Sequence, residues 1–249
     1  MGSAEKPSYT LWRGMRDWWS ERRSQLGIWT ALRQLPKEAY DFLRDQTPER
    51  RRLRYGDIDY DWEHRVNTTE AAVSTQARLI GTLAGSLYQP TEPAVFREML
   101  SQLPINFRAF TFIDIGSGKG RTLLMASDFP FRRIIGVELL AELHQIAREN
   151  IRRYKNEHQQ SFAIESQCVD AREFEFPNDP LVLYFFNPLP QSGMKTVLSH
   201  LEQSLKACPR DAYIVYHNPE HRSLLESSFL REFASAHQYV IYRTVRIDG

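Results

Sequence analysis

Residues 110–121 decide the fold: they are Phe-Thr-Phe-Ile-Asp-Ile-Gly-Ser-Gly-Lys-Gly-Arg. The first six residues form a short, mostly apolar run, which is typical of a buried strand. The glycines that follow, Gly116, Gly118 and Gly120, allow a sharp turn and a close approach of the backbone to a ligand. Because Arg121–Ser127 favours a helix, the stretch predicts a strand, a glycine-rich turn and a helix in succession.

The same alternation of strands and helices continues along the chain. It predicts an α/β fold with a mainly parallel sheet and helices on both faces. Ligands bind such sheets outside the carboxyl ends of the strands, where the strand order reverses. The predicted helices are Pro93–Leu103, Arg121–Ser127, Leu140–Tyr154, a stripe from Met194 to Leu205, and Glu220–Ser228 with a continuation. The predicted strands are Phe110–Ile115, Ile134–Leu139, Phe162–Val169, Leu181–Phe186, Ala212–Tyr216 and Tyr239–Ile247.

Composition divides the chain in two. All five tryptophans fall in the first quarter, and Tyr9–Ser24 has the spacing of an amphipathic helix. The stretch from Thr47 to Thr69 is polar and predicts a connecting loop. We therefore expect a helical extension over residues 1–90 and an α/β domain over residues 91–249.

Charge and cysteine content exclude several classes of protein. The 249 residues include 32 Lys+Arg and 31 Asp+Glu, a balance that argues against a globally basic nucleic-acid-binding protein. The longest uncharged stretch, Pro180 to Met194, is shorter than the roughly 20 residues of a membrane-spanning helix. The N-terminus has no apolar signal region. Two cysteines, Cys168 and Cys208, are too few for a disulfide framework or a Cys-rich zinc site. We expect a cytoplasmic protein with no metal.

Three kinds of ligand compete for the glycine turn. A phosphate-binding P-loop requires Ser or Thr where Gly120 stands, and a dinucleotide loop requires glycine where Arg121 stands. The arrangement Asp-x-Gly-x-Gly-x-Gly instead suits a zwitterion. Asp114 can accept hydrogen bonds from an ammonium group, and the amides at the start of the helix favour a carboxylate. An amino-acid moiety, such as the methionine end of S-adenosylmethionine, carries both charges.

Two further strand ends carry acidic residues. Glu138 ends the second predicted strand, where its carboxylate can accept both hydroxyls of a ribose while Leu139 lies against adenine. Asp170, followed by Ala171, comes after the third strand and can accept from the adenine amino group. Taken together with Asp114, these carboxylates favour an adenosyl ligand.

On these motifs the sequence resembles the class I S-adenosylmethionine-dependent methyltransferases, from about Thr91 to Val245. The resemblance implies a Rossmann-like sheet of the seven-stranded type and S-adenosylmethionine as the cofactor. It assigns Asp114, Gly116, Gly118 and Gly120 to the methionine end, Glu138 to the ribose and Asp170 to the adenine. We expect Ser117, Leu139 and Ala171 to contact the cofactor as well.

The loop is also similar to that of lysine-directed protein methyltransferases with this fold. An upstream Tyr88-Gln89-Pro90-Thr91 is similar to a segment that lies over the cofactor in some of them. That similarity makes Tyr88 a candidate catalytic residue and Thr91 a candidate cofactor-binding residue.

The acceptor side is predicted at Asn187-Pro188-Leu189-Pro190, after the fourth strand. This loop resembles the [DNS]-P-P-[YFW] motif of methyltransferases that act on planar nitrogens, with Asn187 as the candidate catalytic residue. Here Pro190 replaces the aromatic residue, so a ring acceptor would need Tyr184, Phe185 or Phe186 for stacking. We interpret His217 as a hydrogen-bonded turn residue rather than a base.

The sequence thus predicts a methyltransferase acting on an amine, with a protein lysine as the leading candidate. The alternatives are transfer to a small molecule or RNA, an NAD-dependent oxidoreductase, and a non-catalytic nucleoside-binding or membrane-peripheral module. For the extension we weigh a cap over the cofactor, an interfacial helix at Tyr9–Ser24, and an RNA contact at Arg50–Arg54. The sequence leaves the oligomeric state open.

Overall fold

The computed structural model describes residues 58–69, 89–226 and 229–245, together with positions 16, 19, 20, 23 and 27. Its secondary structure alternates from residue 93 onward, as predicted. The α-helices in these ranges are α1 (Ile58–His64), α2 (Pro93–Ser101), α3 (Arg121–Ala126), α4 (Ala141–Arg153) and α5 (Gln191–Ala207). The strands are β1 (Thr111–Ile115), β2 (Arg133–Glu138), β3 (Ile164–Cys168), β4 (Leu181–Phe185), β5 (Ala212–His217), β6 (Leu230–Ser235) and β7 (Tyr239–Thr244).

The strands form one seven-stranded sheet in the order β3-β2-β1-β4-β5-β7-β6. Strands β1 to β5 pair in parallel, whereas β7 pairs antiparallel with both β5 and β6. A dinucleotide-binding sheet has six strands in the order 3-2-1-4-5-6, without this inserted strand. Strand order reverses between β1 and β4, so the ligand crevice of the sheet lies at their carboxyl ends.

Both faces of the sheet are covered, and alternate side chains of each strand pack into the hydrophobic cores on opposite faces. Phe112 and Tyr184 pack on the face that holds α2 and α3. Ile113 and Leu183 pack on the face that holds α5. Strands buried on both faces require continuous apolar runs, and burying each large side chain contributes about 1.5–3 kcal/mol. The prediction of an α/β sandwich with a mainly parallel sheet is confirmed.

Two predictions about local structure are wrong. The helix expected at Glu220–Ser228 and beyond is a short 3₁₀ turn, Arg222–Leu225, followed by strand β6. Strand β6 lies at the edge of the sheet and buries only one of its six residues fully, so its apolar pattern is weak. The polar stretch Thr47–Thr69, expected to be a loop, contains α1 in its described part.

Among the described residues, no helix is both long and apolar enough to cross a membrane. The hypotheses about Arg50–Arg54, and about Tyr9–Ser24 apart from its few described positions, concern residues outside the described ranges.

Candidate functional site

The glycine loop folds back onto the end of β2. Gly116, Gly118 and Gly120 have φ angles of 80°, 54° and 83°, in the left-handed region that glycine adopts without strain. The amides of Gly116 and Ser117 both donate to the carbonyl of Val137, at 2.8 and 3.0 Å. The amide of Gly118 donates to Glu138 Oε2 at 2.8 Å. The loop after β1 and the end of β2 therefore form one hydrogen-bonded unit.

Asp114 is a buried carboxylate on β1, only 3% exposed. It accepts a hydrogen bond from Thr122 Oγ1, at the start of α3. Burial raises the pKa of Asp114 to about 7, the bond from Thr122 lowers it, and the charge of Glu138 raises it. A cationic ligand placed next to Asp114 would stabilise its ionised form, because a nearby positive charge favours the charged state of a carboxylate.

Glu138 is the second buried carboxylate, at the end of β2. Its Oε1 accepts from the amide of Leu140 at 2.8 Å, and its Oε2 accepts from Gly118. Burial raises its pKa, while these backbone hydrogen bonds lower it. An ionised carboxylate offers about four acceptor positions, so Glu138 has capacity left for hydroxyl donors.

Asp170 and Ala171 are buried after the end of β3, at the same edge of the sheet. Asp170 caps the 3₁₀ helix Ala171–Glu173 by accepting from the amide of Arg172 at 3.0 Å. The guanidinium of Arg172 also donates to both carboxylate oxygens, the shortest contact being 2.6 Å. Arg172 therefore orients Asp170, and the assignment of Asp170 to adenine stays a prediction. Leu139 is half-buried between β2 and α4.

The loop after β4 contacts the glycine loop at the point where strand order reverses. A Cβ built on Gly116 would lie 2.6 Å from Pro188 Cβ. Asn187, with φ of 45°, bonds to the turn after β5. Its Oδ1 accepts from the hydroxyl of Tyr216 at 2.8 Å, and its Nδ2 donates to the carbonyl of Asn218 at 2.8 Å. Asn187 therefore braces two turns together, and its catalytic role stays a prediction.

The three aromatic residues considered for stacking are placed differently. Phe185 is fully buried in the core against α5, and Tyr184 is buried on the opposite face. Phe186 is half-buried, and its ring centroid lies 4.2 Å from that of His217. Of these three residues, Phe186 is the one with a ring surface at the carboxyl edge of the sheet.

Thr91 is buried and takes part in a chain of hydrogen bonds. Its Oγ1 lies 2.8 Å from Tyr184 Oη, which in turn lies 2.9 Å from His217 Nδ1. Burial lowers the pKa of His217 to about 4. The geometry agrees with His217 as a hydrogen-bonded residue, and cofactor binding by Thr91 stays a prediction. Tyr88 lies outside the described residues.

Sequence reasoning missed the role of the two basic residues in the glycine loop. Lys119 is fully buried, and its Nζ donates to Asn67 Oδ1 at 3.0 Å and to the carbonyl of Thr69 at 2.7 Å. Arg121 is 2% exposed, and its Nε donates to Thr68 Oγ1 at 2.7 Å. Both side chains therefore bind the segment that follows α1. The sequence does contain an indication of this role: Lys119 and Arg121 lie in a strand–turn–helix segment that is otherwise mostly apolar, so their charged groups need partners within the protein.

Asp61, on α1, completes this anchor. Its Oδ2 accepts from the amides of Thr68 and Thr69, at 2.7 and 2.9 Å. Its Oδ1 lies 3.5 Å from the guanidinium of Arg121, which also sits over the ring of Tyr60 at 4.7 Å. Residues 58–69 thus pack against the glycine loop, although their composition placed them with the extension.

Within the described ranges, no three His, Cys, Asp or Glu residues are grouped closely enough to hold a metal ion.

Comparisons with known proteins show similarity only among solved structures. No family model matches the chain, and no curated protein matches it. An RNA methyltransferase from Salinibacter ruber, in complex with S-adenosyl-L-homocysteine, is 20% identical. The match covers 62% of this chain and 92% of that one, with a TM-score of 0.43.

Two further structures are similar at the same level. A ribosomal protein L11 methylase from Lactobacillus delbrueckii subsp. bulgaricus is 11% identical over 61% of this chain and 76% of that one, with a TM-score of 0.43. A geranyl diphosphate methyltransferase, in complex with GPP and sinefungin, is 13% identical over 63% and 79%, with a TM-score of 0.45. Likenesses this distant carry no argument about activity, so the function must be argued from the site.

Proposed function

We propose that this chain is an S-adenosylmethionine-dependent methyltransferase. The observation that carries the proposal is the pair of buried carboxylates, Asp114 and Glu138, on neighbouring strands around a loop of three left-handed glycines. Both lie at the carboxyl edge of the sheet, next to the reversal of strand order, where such folds bind ligands. Two buried acids side by side favour a ligand that brings a positive charge and hydroxyl donors.

The described residues fit the parts of this cofactor. Asp114 would pair with the ammonium group, and Glu138 would accept from the ribose hydroxyls with the positions its two amide donors leave open. Leu139 would lie against adenine, with Asp170 and Ala171 at its amino edge. Gly116, Ser117 and Gly118 would line the methionine end, where the lack of side chains at the two glycines lets the backbone approach closely.

The bound cofactor supplies an electrophilic methyl group. The chain must then align an unprotonated acceptor atom with that methyl group and keep water away, which is catalysis by positioning. The wall for the acceptor would be the loop after β4, with Asn187 and Pro188. Tyr88 is proposed to lie over the cofactor, and residues 1–90 to act as a cap. We propose an amine acceptor, with a protein lysine as the first candidate.

Transfer of hydride with a nicotinamide dinucleotide is the second candidate that we weighed. The sheet has an inserted antiparallel strand, and the position of the third loop glycine is taken by Arg121, which binds Thr68. Both features depart from the dinucleotide-binding pattern, which favours the methyltransferase.

Calorimetry with S-adenosylhomocysteine and with NADH tests the proposal. We expect S-adenosylhomocysteine to bind, and Asp114→Ala and Glu138→Ala each to weaken it at least tenfold, the effect of one lost charge-assisted contact of about 1.5–3 kcal/mol. Glu165→Gln, an exposed carboxylate on β3, is the matched control and should leave the affinity unchanged. Tight binding of NADH with none of S-adenosylhomocysteine would overturn the proposal.

A second experiment addresses the acceptor. The protein is incubated with a cell lysate and a radiolabelled methyl donor, and the label is followed into protein, RNA and small molecules. Label in lysine residues supports the amine proposal, whereas label confined to RNA or to a small non-amine molecule contradicts it.

A further inference from the structure

The side chains of Thr91, Tyr184 and His217 form a hydrogen-bond chain, and the proposed function uses none of it beyond the predicted contact of Thr91 with the cofactor. All three side chains are buried, with exposures of 3%, 1% and 4%. The chain links Thr91, two positions before the start of α2, to β4 and then to the last residue of β5. It ends at the carboxyl edge of the sheet, where the loops after β4 and β5 form the proposed acceptor wall.

The direction of this chain follows from counting donors. Among the described residues, Tyr184 Oη is the hydrogen-bond partner of Thr91 Oγ1. The contact allows either hydroxyl to donate, and because a buried hydroxyl proton needs an acceptor we infer that Thr91 donates to Tyr184. Tyr184 has a single hydroxyl proton, and in this direction of the chain that proton is donated to Nδ1 of His217, 2.9 Å away. Burial lowers the pKa of His217 to about 4, so its ring is neutral at pH 7. With Nδ1 accepting from Tyr184, the one ring proton lies on Nε2.

The remaining donor of the ring is then Nε2–H. No described group bonds to Nε2, and this nitrogen is not among the fully buried side-chain atoms that lack a partner. One face of the imidazole is covered by Phe186, the residue before Asn187 and Pro188. The two turns, Phe186-Asn187-Pro188 and His217-Asn218-Pro219, are held together by the side chain of Asn187. The donor therefore lies beside two turns that hydrogen bonds of Asn187 join.

We propose that His217 determines acceptor specificity, with Nε2–H donating to a carbonyl or carboxylate oxygen of the methyl acceptor and Tyr184 acting as its positioning residue. The inference rests on the proposed methyltransferase function and narrows its substrate class. It requires an acceptor with such an oxygen within reach of its nucleophilic atom. In the transfer, the lone pair of that atom forms the bond to the methyl carbon, and the carbon–sulfur bond breaks with its electrons going to sulfur. His217 stays neutral throughout.

Nitrogen NMR of the histidine rings tests the proposal directly. In the ¹⁵N-labelled protein at pH 7, the ring of His217 should carry its proton on Nε2 and none on Nδ1. Acetate or acetamide, added as a probe to the protein with S-adenosylhomocysteine, should shift the Nε2–H signal, while n-butylamine should not. His144, which lies on α4 and contacts Ser166 on β3, is the internal control, and its signal should not move. A proton on Nδ1, or a shift with n-butylamine alone, would overturn the inference.

Variants separate this inference from the proposed function. His217→Gln keeps an N–H donor and His217→Leu removes it. The assay measures methyl transfer into the lysate fraction that the wild type labels. We expect the Leu variant to transfer about tenfold less methyl than the Gln variant. Tyr184→Phe should lower kcat for the same fraction and leave the KM for S-adenosylmethionine unchanged. All three should bind S-adenosylhomocysteine within twofold of wild type.

Equal activity of the Gln and Leu variants, with S-adenosylhomocysteine bound normally, would overturn the inference alone. Failure of the wild type to bind S-adenosylhomocysteine would overturn the proposed function, and the NMR measurement on the free protein would still report the tautomer. If His217→Leu does not fold, His217→Asn against His217→Gln makes the same comparison, because the shorter Asn cannot reach as far with its donor.

Discussion

Gly116 packs against Pro188 so closely that a Cβ on the glycine would lie 2.6 Å from the proline Cβ. The loops after β1 and β4 therefore touch where the strand order reverses. In the proposed enzyme, this contact sets how near the cofactor loop lies to the acceptor wall.

Gly116→Ala should destabilise the protein and weaken S-adenosylhomocysteine binding. A left-handed alanine costs about 1–2 kcal/mol, and overlap with Pro188 adds about 1–3 kcal/mol. Gly27→Ala is the matched control, because Gly27 has φ of 76° but a Cβ added there would have no atom within 4 Å. Urea unfolding should show the larger loss at Gly116. Equal losses at the two positions would mean that the contact with Pro188 yields without strain.

The affinity for S-adenosylhomocysteine should rise about tenfold between pH 6 and pH 8. The pKa of Asp114 is raised by burial to about 7, and its ionised form is the one that pairs with an ammonium group. The ionised fraction therefore grows about tenfold over this range. Calorimetry across the range measures the effect, and Asp114→Asn should flatten it. A flat profile in the wild type would show that Asp114 does not face the ligand charge.

Asp114→Asn should also stabilise the free protein, more at pH 8 than at pH 5. The pKa of Asp114 is 3.8 as the unperturbed value and about 7 in the fold, so the folded state binds this proton more tightly than the unfolded chain. Ionised Asp114 therefore lowers the free energy of unfolding; this effect is absent below pH 4 and complete above pH 7. We expect a gain of at least about 1 kcal/mol at pH 8, or roughly 2–4 °C in Tm. Scanning calorimetry at the two pH values would contradict this if the variant were destabilised at pH 8.

Asp61→Ala should lower the free energy of unfolding by about 3 kcal/mol, because it leaves the buried guanidinium of Arg121 with one partner fewer. Asp61→Ala combined with Arg121→Leu should recover part of that loss. Glu63→Ala, an exposed carboxylate on the same helix, is the control and should change little. Urea unfolding of wild type, the two single variants and the double variant gives the coupling free energy; strictly additive losses would show that the two side chains do not interact.

Tyr216→Phe should lower methyl transfer while leaving cofactor affinity intact. Its hydroxyl donates to Asn187 Oδ1, and burial raises the pKa of Tyr216 to about 12, so it stays a donor at neutral pH. Loss of this brace lets the acceptor wall move, which should reduce transfer roughly tenfold. Tyr213→Phe, near the other end of β5, is the control. The idea fails if S-adenosylhomocysteine binding and transfer fall together.

The parts of the fold that could be predicted are those with strong local patterns. Strand β4 is apolar throughout and β1 ends at a glycine turn, so both are evident in the sequence. Strand β6 could not be predicted in this way, since it depends on pairing with β7 rather than on its own apolar pattern. Helix α1 could not be predicted either, because its sequence is polar and the contacts that stabilise it are with residues distant in sequence, such as Arg121.

The candidate site also has a part that could be predicted from the sequence and a part that could not. Asp114, Glu138 and Asp170 could be placed at one edge of the sheet, because parallel strands bring their carboxyl ends together. The partners of their side chains could not be predicted. Three contacts illustrate this: Arg172 donates to Asp170, Tyr216 donates to Asn187, and Tyr184 contacts His217. Each depends on the register of the sheet or the geometry of a turn, which the sequence pattern does not reveal.

The burial of Lys119 and Arg121 has a practical consequence for protein engineering. A shortened form that starts at residue 70 would remove three hydrogen-bond acceptors of these cations: Asn67 Oδ1 and the carbonyl of Thr69 for Lys119, and Thr68 Oγ1 for Arg121. Fewer acceptors for two buried cations next to the glycine loop should lower the stability of the shortened form and favour its aggregation during expression. Truncations intended for crystallisation should therefore begin upstream of Ile58.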